Sequence, residues 1–164
     1  MKELILLRHA KSNSNYEVAD IDRPLATTGM SRMSKVANRY NELFKNVDCV
    51  FSSPANRALH TATIMMNELE LPFYKLNVDS TLYTFDSDDI IDYVFALDDA
   101  LDKVVLVGHN PAFTFTLNHF SNAGISHIRT AGLAKVSFDV NSWTDVNKGS
   151  FELGQPNNIF NLKR

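Results

Sequence analysis

Glu3-Leu4-Ile5-Leu6-Leu7-Arg8-His9-Ala10-Lys11-Ser12 is the stretch on which the reading of this chain turns. A short apolar run that ends abruptly in charge reads as a strand buried on both faces, with polar groups at its carboxyl end. The same design recurs twice. Asp48 to Phe51 reads as a strand followed by Ser52-Ser53-Pro54, and Lys103 to Val107 is a β-branched run that stops at Gly108-His109-Asn110-Pro111.

Helical patterns fill the intervals. Met30, Met33, Val36, Ala37, Tyr40, Leu43 and Phe44 recur at helical spacing after Thr28, which predicts one amphipathic helix. Ser53-Pro54 and Asn110-Pro111 each supply a capping side chain and a first-turn proline. They are expected to open helices carrying Ala58, Leu59, Ala62, Met65, Met66 and Leu69, and running toward Phe120, respectively. Ser87 is the expected cap of a further helix bearing Ile90, Ile91, Val94 and Phe95. Phe73 to Val78 reads as an edge strand. Ala134, Val136, Phe138 and Val140 alternate with polar residues as a half-buried strand, with Gly149 to Leu153 as its hairpin partner. This alternation predicts a three-layer α/β/α sandwich whose central sheet is mostly parallel with an antiparallel edge. The methionines are core filling.

The chain has 164 residues, enough for one domain at roughly 150 residues each, and residues 1–164 are expected to form it. A formal net charge of −3 provides no footprint for nucleic acid or an anionic membrane. The single cysteine, Cys49, excludes an internal disulfide, and the apolar run Leu4 to Leu7 is too short for a signal peptide or a membrane span. A cytoplasmic location is the expectation.

In open parallel sheets, ligands gather beyond the carboxyl ends of the strands. Arg8 and His9 follow the first strand, Arg57 stands one turn into the helix after the second, and His109 follows the strand from Lys103. One such residue is ordinarily a solvated loop or helix residue. Two guanidinium forks and two imidazoles at the same end of a sheet suit one tetrahedral dianion, a phosphoryl group.

The motifs resemble those of the histidine phosphatase superfamily, the phosphoglycerate-mutase-like fold. Arg8-His9-Ala10 stands where that family has Arg-His-Gly, and Ser12 and Asn15 match its extension. Asp22-Arg23-Pro24-Leu25-Ala26-Thr27-Thr28-Gly29 is similar to its D-x-P-L-x-x-x-G segment. Ser52-Ser53-Pro54-Ala55-Asn56-Arg57-Ala58-Leu59-His60-Thr61-Ala62 and Val107-Gly108-His109 complete four elements in the family's order. The Asp20-x-x-Arg23-Pro24-Leu25 segment and the His109-Asn110-Pro111 ending look most like the small SixA-type branch.

The resemblance implies that His9 attacks phosphorus and becomes a transient phosphohistidine, hydrolysed by water. Arg8, Arg57 and His109 would hold the non-bridging oxygens, with His109 serving best as a cation. Asn15 would donate to phosphate or leaving group; Ser12 would do the same or stabilise a turn. No metal or cofactor is called for. Larger family members carry a carboxylate acid in an L-x-E segment, where this chain has Leu82-Tyr83-Thr84. A hydroxyl is a poor acid toward an alkoxide. Asp22, Asp86 and Asp88 are the candidate replacements, against turn and helix-terminus roles for the same residues. A site lacking an acid suits phosphohistidine in a protein better than a sugar phosphate. A small-molecule phosphomonoesterase with the same chemistry is the second reading, and a phosphate-binding module without turnover the third. No cap insertion fits between Arg57 and His109. Ile159, Phe160 and Leu162 suggest that the tail packs on the domain. His60, His119 and His127 are expected as packing or surface residues.

Overall fold

The structure, a computed structural model, describes residues 1–156. Residues 157–164, with the apolar tail positions, lie outside that description. Six strands form one sheet: β1 (Lys2–Arg8), β2 (Cys49–Ser52), β3 (Leu76–Val78), β4 (Lys103–Gly108), β5 (Leu133–Phe138) and β6 (Ser150–Gly154). Their spatial order is β3-β2-β4-β1-β5-β6. β1, β2, β3 and β4 are mutually parallel where they pair, and β5 and β6 add the antiparallel edge.

β1 is apolar at consecutive positions because it is covered on both faces. Ile5 and Leu7 pack with the helices α1 (Thr27–Arg39) and α2 (Asn56–Glu68). Leu4 and Leu6 point the other way, into a core shared with α3 (Ser87–Phe95) and α4 (Ala112–Phe120). β4 divides its residues in the same manner, Val105 and Val107 against Val104 and Leu106. A sheet that sends successive crossovers to opposite faces has a switch point, here between β1 and β4. Arg8 and Gly108 are register partners at that point, so the residues that follow them, His9 and His109, emerge side by side. Ser52 is paired with Val107 in the next register, bringing Ser53 to the same rim.

The element boundaries differ from the sequence expectation in instructive places. The long helix stops at Arg39, and Asn41–Phe44 is a separate 3-10 turn. Leu43 and Phe44 still face the core because an i, i+3 spacing serves a 3-10 turn as well as an α-helix. Phe73–Lys75 is likewise a 3-10 turn, leaving β3 only three residues long. α3 is capped by Asp86, whose carboxylate accepts from the Asp88 N–H at 2.9 Å, and not by Ser87. α2 and α4 begin later than the Ser-Pro and Asn-Pro pairs suggest, with Ala55 and Pro111 at their N-caps. The Ser53 side chain serves the rim of the sheet instead, whereas Asn110 Oδ1 still accepts the Thr114 N–H of α4 at 3.3 Å while its Nδ2 donates to Ile128 O.

Gly29 shows why the segment after β1 is laid out as it is. A Cβ there would lie 2.3 Å from the Lys11 carbonyl oxygen. Its absence lets α1 pass directly beneath the chain leaving β1. Residues 11–13 then pair with 24–26, through Asn13 N–H to Pro24 O and Ala26 N–H to Lys11 O, both 2.8 Å. This tie carries Asp20–Asp22, a short 3-10 turn, over to the N-terminal end of α2.

Candidate active site

His9 sits in an unusual place for an imidazole, 8% exposed at the end of the central strand. Its Nδ1 is 2.7 Å from the Ala10 carbonyl oxygen, which can only accept. The proton is therefore assigned to Nδ1, and Nε2 keeps its lone pair. Burial pushes the ring's pKa down to about 4, with the charges of Arg57, Arg8 and Arg23 acting in the same direction. Near neutral pH His9 is an uncharged imidazole with a fixed orientation and a free lone pair on Nε2. Ala10, in the place of the family's glycine, is fully buried and outside the left-handed backbone region. Its N–H donates to Thr61 Oγ1 at 2.9 Å, which anchors the turn on α2.

His109 lies with its ring centroid 5.2 Å from that of His9. Its Nε2 is 2.8 Å from Ser53 Oγ, which also accepts the Ala55 N–H at 3.2 Å. Nε2 is the one acceptor within reach of the Ser53 hydroxyl proton among the described residues, so the hydroxyl is assigned as donor to Nε2 and the ring proton to Nδ1. Burial, then the proximity of His9 and Arg57, holds His109 down to about 3. The cationic His109 expected from the resemblance is thus not the resting state. Burial first, then His9 and the guanidiniums of Arg57 and Arg23, keep it neutral, and only added negative charge would reverse that.

Arg57 is 1% exposed and donates Nη1 to the Asp20 carbonyl at 2.6 Å and Nη2 to Asp20 Oδ2 at 2.9 Å. Arg23 Nη2 reaches the other carboxylate oxygen of Asp20 at 3.1 Å, and the Tyr83 hydroxyl donates to Oδ2. Tyr83 and the two arginines hold the Asp20 carboxyl below the usual carboxylate range. Arg8 turns to the opposite side, its Nη1 donating to Ile128 O at 2.7 Å.

Among the described residues, four buried side-chain nitrogens have no hydrogen-bond partner: Arg8 Nε, Arg23 Nε, Arg57 Nε and His109 Nδ1. Unpaired buried donors are costly and rare in folded proteins. Here they all belong to the cluster around His9, where together they supply what a tetrahedral oxyanion accepts.

Arg8, His9, Arg57 and His109 are thus brought together. Ser12, Asn15 and Asp22 are not hydrogen-bonded to them. Ser12 forms an isolated antiparallel bridge with Leu25. Asn15 is exposed, and its N–H donates to Asn13 Oδ1. Asp22 offers only its carbonyl, to Asn56 Nδ2 at 2.9 Å. Asp86 caps α3, Asp88 lies in that helix's first turn, and the Thr84 hydroxyl donates to Asp89. The place of the family's acid is taken by rings: Tyr83 and Phe85 each lie 5.5 Å from the His109 ring. His60 and His119 are exposed, the latter against Phe120, whereas His127 borders a cleft beside Arg8. Arg23 and Asp20 are the members that residue-by-residue reading overlooked. The Asp20-x-x-Arg23-Pro24-Leu25 spacing was the available signal.

A sheet-end cluster of two uncharged histidines and three arginines suits the binding of a phosphoryl group. Residues 4–82 of the chain match the model of the histidine phosphatase superfamily (branch 1), which supports its placement in that superfamily. It is an enzyme that hydrolyses phosphoryl groups. No curated protein sequence matches the chain significantly. Among solved structures, the protein histidine phosphatase SixA complexed with tungstate is similar at a TM-score of 0.79 and 23% identity, covering 94% of this chain and 97% of that one. The putative phosphohistidine phosphatase SixA from Agrobacterium tumefaciens has a TM-score of 0.73 and 25% identity, over 83% and 91% of the two chains. That from Nakamurella multipartitia has 0.75 and 24%, over 93% and 92%. The fold is therefore the phosphoglycerate-mutase-like one. No helix among the described residues is long and apolar enough to cross a membrane.

Proposed function

We propose that this protein removes the phosphoryl group from phosphohistidine in a cytoplasmic protein, by way of a phosphohistidine on its own His9. The observation that carries the reading is the set of four unpartnered buried nitrogens around an uncharged His9. His9 Nε2 attacks phosphorus in line, the bond from phosphorus to the substrate's imidazole nitrogen breaks, and that ring leaves with the bonding pair. Water then attacks phosphorus, the bond to Nε2 breaks, and inorganic phosphate departs while His9 returns to its neutral form. Arg8, Arg23, Arg57 and His109 Nδ1 oppose the charge on the equatorial oxygens throughout.

The substrate class follows from the proton budget at the leaving group. An imidazole protonated on its remote nitrogen departs without a dedicated acid, whereas an alkoxide needs one. Thr84 is engaged at α3, and the carboxylate closest to the cluster, Asp20, is held ionised by two arginines and Tyr83. This favours phosphohistidine over the small phosphate ester of the second reading. The likeness to SixA structures, one holding tungstate, supports the same choice. A single domain without a cap insertion would leave the rim open to a protein side chain.

The test is turnover of a phosphohistidine protein beside simple alkyl phosphates, with His9→Ala as control and rapid quench to trap the intermediate. Expected are faster turnover of phosphohistidine and an acid-labile, base-stable label that His9→Ala abolishes. Preference for alkyl esters would move the substrate to the second reading. Absence of both label and turnover on every substrate would leave only a phosphate-binding module.

A further inference from the structure

The loop between α4 and β5 holds the Arg8 side of the pocket. Ile128 O accepts from Arg8 Nη1 at 2.7 Å and from Asn110 Nδ2 at 2.9 Å. Ala131 N–H donates to His9 O at 3.1 Å, and Ala131 takes a left-handed φ of 58°, uncommon for a residue with a Cβ. The segment is thereby held against the nucleophile's own backbone. Beside Arg8 it encloses a cleft of about 390 Å³ lined by Arg8, Arg32, His127, Arg129, Thr130 and Pro156. Among the described residues no carboxylate lines that cleft, and neither Arg32 nor Arg129 is ion-paired. Three arginines facing one concavity repel one another and concentrate positive potential at its mouth.

We propose that this cleft is a second anion subsite, in which Arg32 and Arg129 take the carboxylate of an acidic residue flanking the phosphorylated side chain of the substrate. The identity of the flanked residue rests on the phosphohistidine reading; the anion preference rests on the cleft alone. Guanidinium forks on an exposed rim suit a carboxylate bidentately. Because Arg32 and Arg129 are exposed, their contribution is screened by salt and falls on substrate binding, not on the chemical step.

The experiment compares two synthetic phosphohistidine peptides, one with glutamates and one with glutamines around the phosphorylated residue, on the full chain. The glutamate peptide is expected to have a KM about tenfold lower at low salt, with equal kcat, and the advantage should fade as salt rises. Combining Arg32→Ala with Arg129→Ala should erase the difference while leaving kcat and the glutamine peptide unchanged. Equal KM values in the unaltered protein would overturn the proposal. So would an equal loss on both peptides in the double variant, or a subsite that responds only to a small bisphosphate. Should neither peptide be hydrolysed, the same unphosphorylated peptides are tested as competitors of p-nitrophenyl phosphate hydrolysis. Inhibition by the glutamate peptide alone, lost in the double variant, would sustain the subsite though the substrate reading had failed. No such difference would overturn it.

Discussion

The two flanks of the pocket use the same residue type to different ends. On the α2 side, Arg57 and Arg23 share one carboxylate, Asp20, which Tyr83 also holds. Their two charges are half offset by that one carboxylate, and their geometry is set before any substrate arrives. On the side of the loop after α4, Arg8 is oriented by a carbonyl, and Arg32 and Arg129 have no carboxylate beside them in their cleft among the described residues. Pairing gives position at the expense of field; leaving arginines unpaired does the reverse. A phosphatase needs position at the reacting phosphorus and can use field at the rim, where an incoming acidic segment is steered.

The largest expected effect comes from removing the paired anchor. Arg57→Ala should lower kcat/KM by about 10²–10³-fold, the scale for deleting one donor to a developing oxyanion. Arg57→Lys should restore little of it, since an ammonium cannot hold Asp20 twice and donate through Nε as well. A loss below tenfold in steady-state assays would reduce Arg57 to a tie for the Asp20 turn.

The next effect concerns the floor that both flanks share. His9 and His109 are held below the ordinary imidazole value in the folded chain, to about 4 and about 3. The unfolded chain therefore takes up protons first as pH falls from about 6.5, and stability drops between there and about pH 3. Urea midpoints measured across that range should show the unaltered protein losing of order 1–3 kcal/mol more than a variant combining His9→Gln with His109→Gln. Parallel curves for the two proteins would show that the rings are not desolvated as described.

Converting the paired flank into an unpaired one is the sharper test of the comparison. Asp20→Asn removes a carboxylate that competes with phosphate for Arg57 and Arg23. Inorganic phosphate should then bind roughly 3–10-fold more tightly, about 1 kcal/mol, by calorimetry or by product inhibition. Weaker binding would mean that the order Asp20 imposes outweighs its charge. The smallest change is expected from Tyr83→Phe, which loses one hydrogen bond to an exposed carboxylate. Phosphate affinity should shift by less than about threefold, in the direction of Asp20→Asn.

Much of the architecture was legible because strand burial leaves a compositional mark. Leu4 to Leu7 and Val104 to Val107 are apolar at every position because helices cover both faces of the sheet, and no other arrangement rewards such runs so directly. Arg8, His9, Arg57 and His109 could be grouped because each follows or faces a strand end. Ser53 was misread for an equally physical reason. A serine before a proline looks like a cap, and only the register of β2 on β4 turns it toward His109. Asp20 was passed over in favour of Asp22, because adjacent acidic residues on one short turn differ only in the direction in which the turn faces α2.

What the sequence by itself determined is the inventory: which chemistry stands at each strand end, and that no carboxylate occupies the place of the family's acid. Tertiary structure decided how those groups are charged and spent. Asp20 and Arg57 are 37 positions apart in the chain yet 2.9 Å apart in space. His9 and His109 meet because Arg8 and Gly108 are register partners across two parallel strands. Protonation and pairing depend on distance and on exclusion of water, and both are properties of the packed chain.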